Sequence, residues 1–234
     1  LSNGETVKLS LIEINVFRDS IRNAIRSALV RISVDGQEAA LSFGNYNLPV
    51  EVGRVQIDCP AIKALGEDAN MDFWGFSKDA ILRLWPKGSP YIQPGTFVNP
   101  VKQKWFAGKT QAGNPPNWGN DPANKKIYYH AGFDIGGAEG INEIVSATEG
   151  LVVSAKGKTM EEYKELNLRA MGWTDAVYIV DKRGWFILYA HLDSVDTLIN
   201  AGDKVKIGQR IGFIGKQSTS GGWVHLHFDI KNRE

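Results

Sequence analysis

At 234 residues, 43% of them hydrophobic and 23% charged, the chain has the composition of an ordinary globular protein with room for one large core or two modest ones, and it lacks the uninterrupted apolar run of about 18 residues that would make it an integral membrane protein. A formal net charge of +1 supplies no concentrated basic face of the kind that draws nucleic acid. The lone Cys59 excludes an internal disulfide and, with only four histidines present, a thiolate-rich zinc finger, so any metal here is held by nitrogen and oxygen.

The sequence opens at Leu1 with no apolar leader, the pattern expected of a trimmed or mature form, so the compartment has to come from the chemistry. From Val7 to about Ile57 apolar and polar residues alternate in short runs, "VKLSLIEINV" and "ALVRISVDGQEAALSF" among them, which is the period of half-buried strands. Asp35-Gly36 stands between two such runs and supplies the positive φ angles of a tight hairpin, so Leu29–Val34 is expected to pair antiparallel with Glu38–Phe43. "VEVGRVQID" and "DAILRLWP" extend the sheet, and "PAIKALGEDA" suggests a short helical turn. Residues 1–98 are therefore expected to form a β-sandwich-like accessory domain. Trp74 and Trp85 within it suit either carbohydrate stacking or core packing, and aromatics at this density more often pack.

Residues 99–126 fall in a Pro-, Gly-, Asn- and Trp-rich stretch without a sustained period and read as linker and loop. From Ile127 the alternation returns in "EIVSATEGLVVSAKG", "DAVYIVDKRGWFILYAHL", "DKVKIGQRIGFIGK" and "WVHLHFDI", so residues 127–234 are expected to form a second β-rich domain and the fold class is all-β, mainly antiparallel. "TMEEYKELNLRAMGW", from Thr159, interrupts the strands with helix-forming residues and suggests a short helix or lid-like insertion.

The four histidines all follow the loop-rich stretch. On a strand, residues two apart share a face, so His225 and His227 project together while Leu226 points into the core. Burying two imidazoles without partners is costly, and a divalent cation relieves that cost by using a ring lone pair. In "HAGFD", His130 and Asp134 also share a face of an extended segment, with Gly132 between them leaving room for an ion. A His–His–carboxylate set with an open position for water is one reading. The alternatives are a cross-strand or surface histidine pair, and for His191 a core histidine bonded to a backbone carbonyl.

These segments, together with "LYAHLDSV" and "AGDKVKIGQRIGFIGKQSTSGGWVHLHFDI", resemble the lysostaphin-type (LytM-like) zinc metallopeptidases in identity, order and spacing over about residues 127–231. The resemblance implies Zn2+ held by His130, Asp134 and His227, His225 as general base, and His191 as a second catalytic histidine that orients water or stabilises the oxyanion. It also implies a peptidoglycan substrate and an extracytoplasmic location. Asp229 stands where the family often has glutamate and reads either as a support for the ligands or, slightly favoured, as a solvated charge. Tyr189 is expected to pack, and Gly221-Gly222 to form the turn that delivers the histidine pair. Two departures bear on specificity: the enlarged Thr159–Trp173 insertion, and Gly-Trp where the family commonly has Gly-Pro.

The leading expectation is a zinc-dependent endopeptidase that hydrolyses peptide bonds of bacterial cell walls. Two alternatives stay open: a non-catalytic cell-wall binding or activator module, and a zinc-site enzyme recruited to an acidic polysaccharide for lyase-type β-elimination.

Overall fold

The computed structural model describes residues 1, 3–44, 47–68, 78–90, 92–103, 110–111, 116–121, 126–130, 132–166, 168–218 and 220–231. Trp74 and most of "AGNPPNWGNDPAN" lie outside them. The chain divides into two compact units, residues 1–91 with 113–131, and residues 92–112 with 132–233.

In the first unit β1 (Leu9–Arg18), β2 (Ile25–Val34) and β3 (Gln37–Ser42) form an antiparallel sheet in that order. The hairpin from β2 to β3 closes Val34 on Gln37, and Asp35 and Gly36 between them take φ of 50° and 88°. An Asp-Gly pair tolerates that left-handed turn with little strain. A second sheet is built from β4 (Val50–Val52), β5 (Val55–Ile62) and β6 (Ala80–Pro86). "VEVGRVQID" is thus two strands rather than one, because Gly53 at φ 56° turns the chain back after Val52. The expected helical turn is α1 (Lys63–Asp68). Val30, Ile32, Leu41, Val55, Ile57 and Leu65, drawn from both sheets and α1, are buried in one core.

Beyond these the strands are β7 (Val101–Lys102), β8 (Thr110–Gln111), β9 (Pro116–Asp121), β10 (Lys126–Tyr129), β11 (Phe133–Gly136), β12 (Glu143–Val145), β13 (Gly150–Ala155), β14 (Lys158–Thr159), β15 (Val177–Val180), β16 (Phe186–Ala190), β17 (Leu192–Val195), β18 (Lys204–Val205), β19 (Arg210–Ile214) and β20 (His225–Lys231). The stretch read as linker therefore carries β7, β8 and β9. Two of these have two residues each, too short to display an alternation.

Among the described residues the largest sheet runs β14-β13-β15-β16-β20-β11-β8, with β18 also on β13, and a four-stranded sheet runs β17-β19-β12-β7. Ile144, Val152, Ile179, Ile187, Ile211 and Leu226 from these sheets share one core. Phe97 packs edge-on against Phe228, their ring centres 6.1 Å apart. Tyr189 packs as expected: it is fully buried, and its hydroxyl oxygen accepts the Ala147 amide at 2.8 Å. The Thr159 insertion forms a 3-10 helix, Glu161–Leu166, with Tyr163 edge-on to Phe186. No helix among the described residues is long and apolar enough to cross a membrane.

Candidate metal centre

Register brings the first pair of site residues together. Asp134 on β11 lies directly opposite His227 on β20, and Ala190 of β16 faces His227 from the other side, so His191 immediately follows a position already tied to the same strand. Directly opposed residues project from the same face of an antiparallel pair. Asp134 Oδ1 and His227 Nδ1 stand 2.8 Å apart, and His225 Nε2 is 3.6 Å from the same oxygen. His130, just after β10, completes a group in which one ligand atom each from His130, Asp134 and His227 lie within 4.8 Å of one another. Leu226, between the paired histidines, is completely buried in the core on the opposite face.

The donor set fits a divalent ion in composition: two imidazoles and a carboxylate are the nitrogen and oxygen ligands that zinc accepts with one position left open. Gly132 provides the room. A Cβ there would stand 2.8 Å from the Phe228 carbonyl oxygen and 2.9 Å from His227 Nε2, and its φ of 102° is a conformation that side chains disfavour.

His225 is held from two directions. Its Nδ1 lies 3.0 Å from the Trp223 carbonyl oxygen, an acceptor only, so Nδ1 carries the proton and Nε2 presents its lone pair on the Asp134 side. The Trp223 indole stacks on the imidazole, ring centres 3.9 Å apart and planes 17° from parallel. The turn before it places this segment: Ser220 Oγ donates to the Lys216 carbonyl, Gly221 and Gly222 take φ of 71° and 84°, and the His225 amide donates to the Gly215 carbonyl at 3.0 Å.

His191 joins the group edge-on, its ring centre 4.9 Å from that of His225 and 5.9 Å from that of His227. Burial, and then the neighbouring His225 and His227, push its pKa down to about 4, against the pull of the Gln217 carbonyl and Asp134. It is neutral in the pH range of most cellular compartments. Its φ of 68° is unusual for a residue with a side chain. Gly215 presses on this bend, since a Cβ at that position would meet the Asp193 amide at 2.3 Å and the His191 carbonyl at 2.8 Å.

The five residues singled out in the sequence thus share one small space. Asp229 departs from its favoured reading: it is 6% exposed, with Lys231 Nζ 3.3 Å from its carboxylate, so it is a buried ion-pair member rather than a solvated charge. Sequence reasoning did not single out Asp175, which is buried behind His191. No motif marks it, and only the fold brings "TDA" to "AHL", through the Leu192 amide donating to the Asp175 carbonyl at 3.0 Å.

Residues 128–234 match Peptidase family M23. Among curated proteins the chain is similar to the uncharacterized lipoprotein YgeR of Escherichia coli (strain K12), 36% identical over 112 residues that are 48% of this chain and 41% of that protein. It is also similar to the murein hydrolase activator NlpD of Salmonella dublin, 27% identical over 146 residues, 62% of this chain and 37% of that protein. It therefore spans less than half the length of either relative. Among solved structures it is similar to the catalytic domain of the antimicrobial peptidase lysostaphin from Staphylococcus simulans, with 23% identity and a TM-score of 0.40 over 54% of this chain and 81% of that one.

Proposed function

We propose that the chain is a zinc-dependent endopeptidase that hydrolyses peptide bonds of bacterial peptidoglycan outside the cytoplasm. The observation that carries this reading is the convergence of His130, Asp134 and His227 ligand atoms within 4.8 Å, with His225 and His191 beside them. His130, Asp134 and His227 would hold the ion, which when bound supplies Lewis acidity, polarising a carbonyl and acidifying water. His225 is set to act as base: with Nδ1–H committed to the Trp223 carbonyl, Nε2 is the atom that takes the proton from the water attacking the scissile carbon. As the C–N bond breaks, that proton leaves with the amine. His191, neutral and facing the same space, orients the water or supports the tetrahedral oxygen.

The cell-wall substrate and the extracytoplasmic location are supported by the M23 match and by similarity to a lipoprotein and to a murein hydrolase activator. The test is a digest of purified peptidoglycan, followed as newly released amines, with metal content measured on the same sample. Zinc in the purified protein, amines released by the wild type and both lost in His227→Ala are the expected results; activity retained in metal-free protein overturns the scheme.

Similarity to an activator supports a second reading, a module that stimulates another hydrolase. In that case the chain alone releases no amines, and adding it to a cell-wall hydrolase raises that enzyme's rate.

A further inference from the structure

We infer that Asp175 is the positioning residue of His191: its carboxylate takes the Nδ1–H of the imidazole and fixes which edge of the ring faces the reacting groups. The inference rests on the peptidase reading for its meaning, and on geometry for its content. Asp175 is 7% exposed and His191 6% exposed. Neither carboxylate oxygen of Asp175, nor His191 Nδ1, has a hydrogen-bond partner among the described residues. The two groups face each other, Nδ1 to Oδ2, at 3.9 Å.

That gap exceeds a hydrogen bond, and the penalty for leaving both groups unsatisfied drives its closure. A buried polar group without a partner is costly, and a carboxylate more so than a neutral one. The backbones are already tied, because the Leu192 amide donates to the Asp175 carbonyl at 3.0 Å. Among the described residues no hydrogen bond holds the Asp175 carboxylate elsewhere, so nothing opposes its turning toward the ring.

The Gln217 carbonyl also favours a proton on this ring, and since Nδ1 has no hydrogen-bond partner among the described residues it competes for that proton from the Nε2 side. A neutral imidazole has one N–H to give, and a charged acceptor outcompetes a neutral one. Asp175 therefore keeps the proton on Nδ1, and Nε2 is left with its lone pair. In the neutral ring this assigns His191 to holding a water or a substrate N–H in place, rather than donating to the developing oxyanion.

The test is the ring 15N spectrum of His191 in zinc-free protein, compared with Asp175→Asn, which keeps the side-chain volume. Wild type is expected to show a protonated Nδ1, and the Asn variant a shift of the proton to Nε2. In the zinc-loaded protein Asp175→Asn is expected to lower kcat about 10- to 100-fold, the scale of loss when a reacting group is no longer held in position. KM and zinc content are expected to hold, and Asp175→Glu to recover part of the rate. Should Asp175→Asn fold poorly, the wild-type spectrum alone still decides. A wild-type ring protonated on Nε2, or one whose tautomer is unchanged in Asp175→Asn, overturns the inference. A zinc-loaded wild type that cuts no cell wall overturns the peptidase reading instead and leaves the spectral result standing.

Discussion

At Gly132 a single methyl group would press directly on the candidate metal centre. Gly132→Ala places a Cβ 2.8 Å from backbone oxygen and 2.9 Å from His227 Nε2 at a φ of 102°. The oxygen belongs to Phe228 on β20 and cannot swing away as a side-chain end does. The substitution is expected to destabilise the fold by about 1–3 kcal/mol and to displace the His227 ring, which urea titration and zinc analysis would register together. Cys59 makes a different residue-scale prediction. It is fully buried, and burial, with Asp58 beside it, pushes its thiol pKa up from 9.0 to about 12. The folded state thus holds the proton more tightly than the unfolded state. The stability this contributes is whole below pH 9 and is lost as pH rises toward 12. A thiol reagent at pH 8 is expected to leave Cys59 unmodified in folded protein and to label it fully in denaturant. At this scale the sequence was most legible where a residue's neighbours set its direction, as in His225 and His227 on one strand face. It was silent on Asp175, whose significance arises from His191 across a strand boundary.

Elements were legible in proportion to their length. The pairing from Val34↔Gln37 to Leu29↔Ser42 follows from Asp35-Gly36 and a long alternation, whereas β7 and β8 span two residues each and leave no periodic trace. The β5–β6 pair holds a feature that periodicity could not reveal. Asp58, 2% exposed, sits opposite Arg83, whose Nε and Nη2 meet its two oxygens at 2.9 and 2.5 Å. A two-pronged pair of this kind leaves a buried carboxylate behind when the guanidinium is removed. Arg83→Met is therefore expected to cost about 3–5 kcal/mol in urea unfolding. Replacing both partners, Asp58→Leu with Arg83→Met, is expected to recover much of that loss, because no charge then remains to be desolvated.

At the scale of the whole chain, the centre joins residues that the sequence keeps far apart: His227 lies 93 positions from Asp134, its neighbour at 2.8 Å. No spacing rule announces that meeting; it follows from β20 inserting between β16 and β11 in the large sheet. Family-like motifs made the candidate ligands legible, while strand order explains why they converge. This arrangement has a thermodynamic consequence separate from catalysis. In the unfolded chain the segments holding His130 and His227 are far apart, so the intact three-ligand site is a property of the folded state. An ion that binds only the folded chain stabilises it by about 2.7 kcal/mol when free zinc is 100 times Kd, and by about 4.1 kcal/mol at 1,000 times. Thermal melts of metal-stripped protein are therefore expected to rise with added zinc and to fall back with chelator. His227→Ala is expected to abolish the zinc-dependent rise. His225→Ala is expected to retain most of it, because on the proposed assignment His225 moves a proton and does not hold the ion. Equal loss of the rise in both variants would make His225 a ligand, and would require the base to be sought elsewhere in the site.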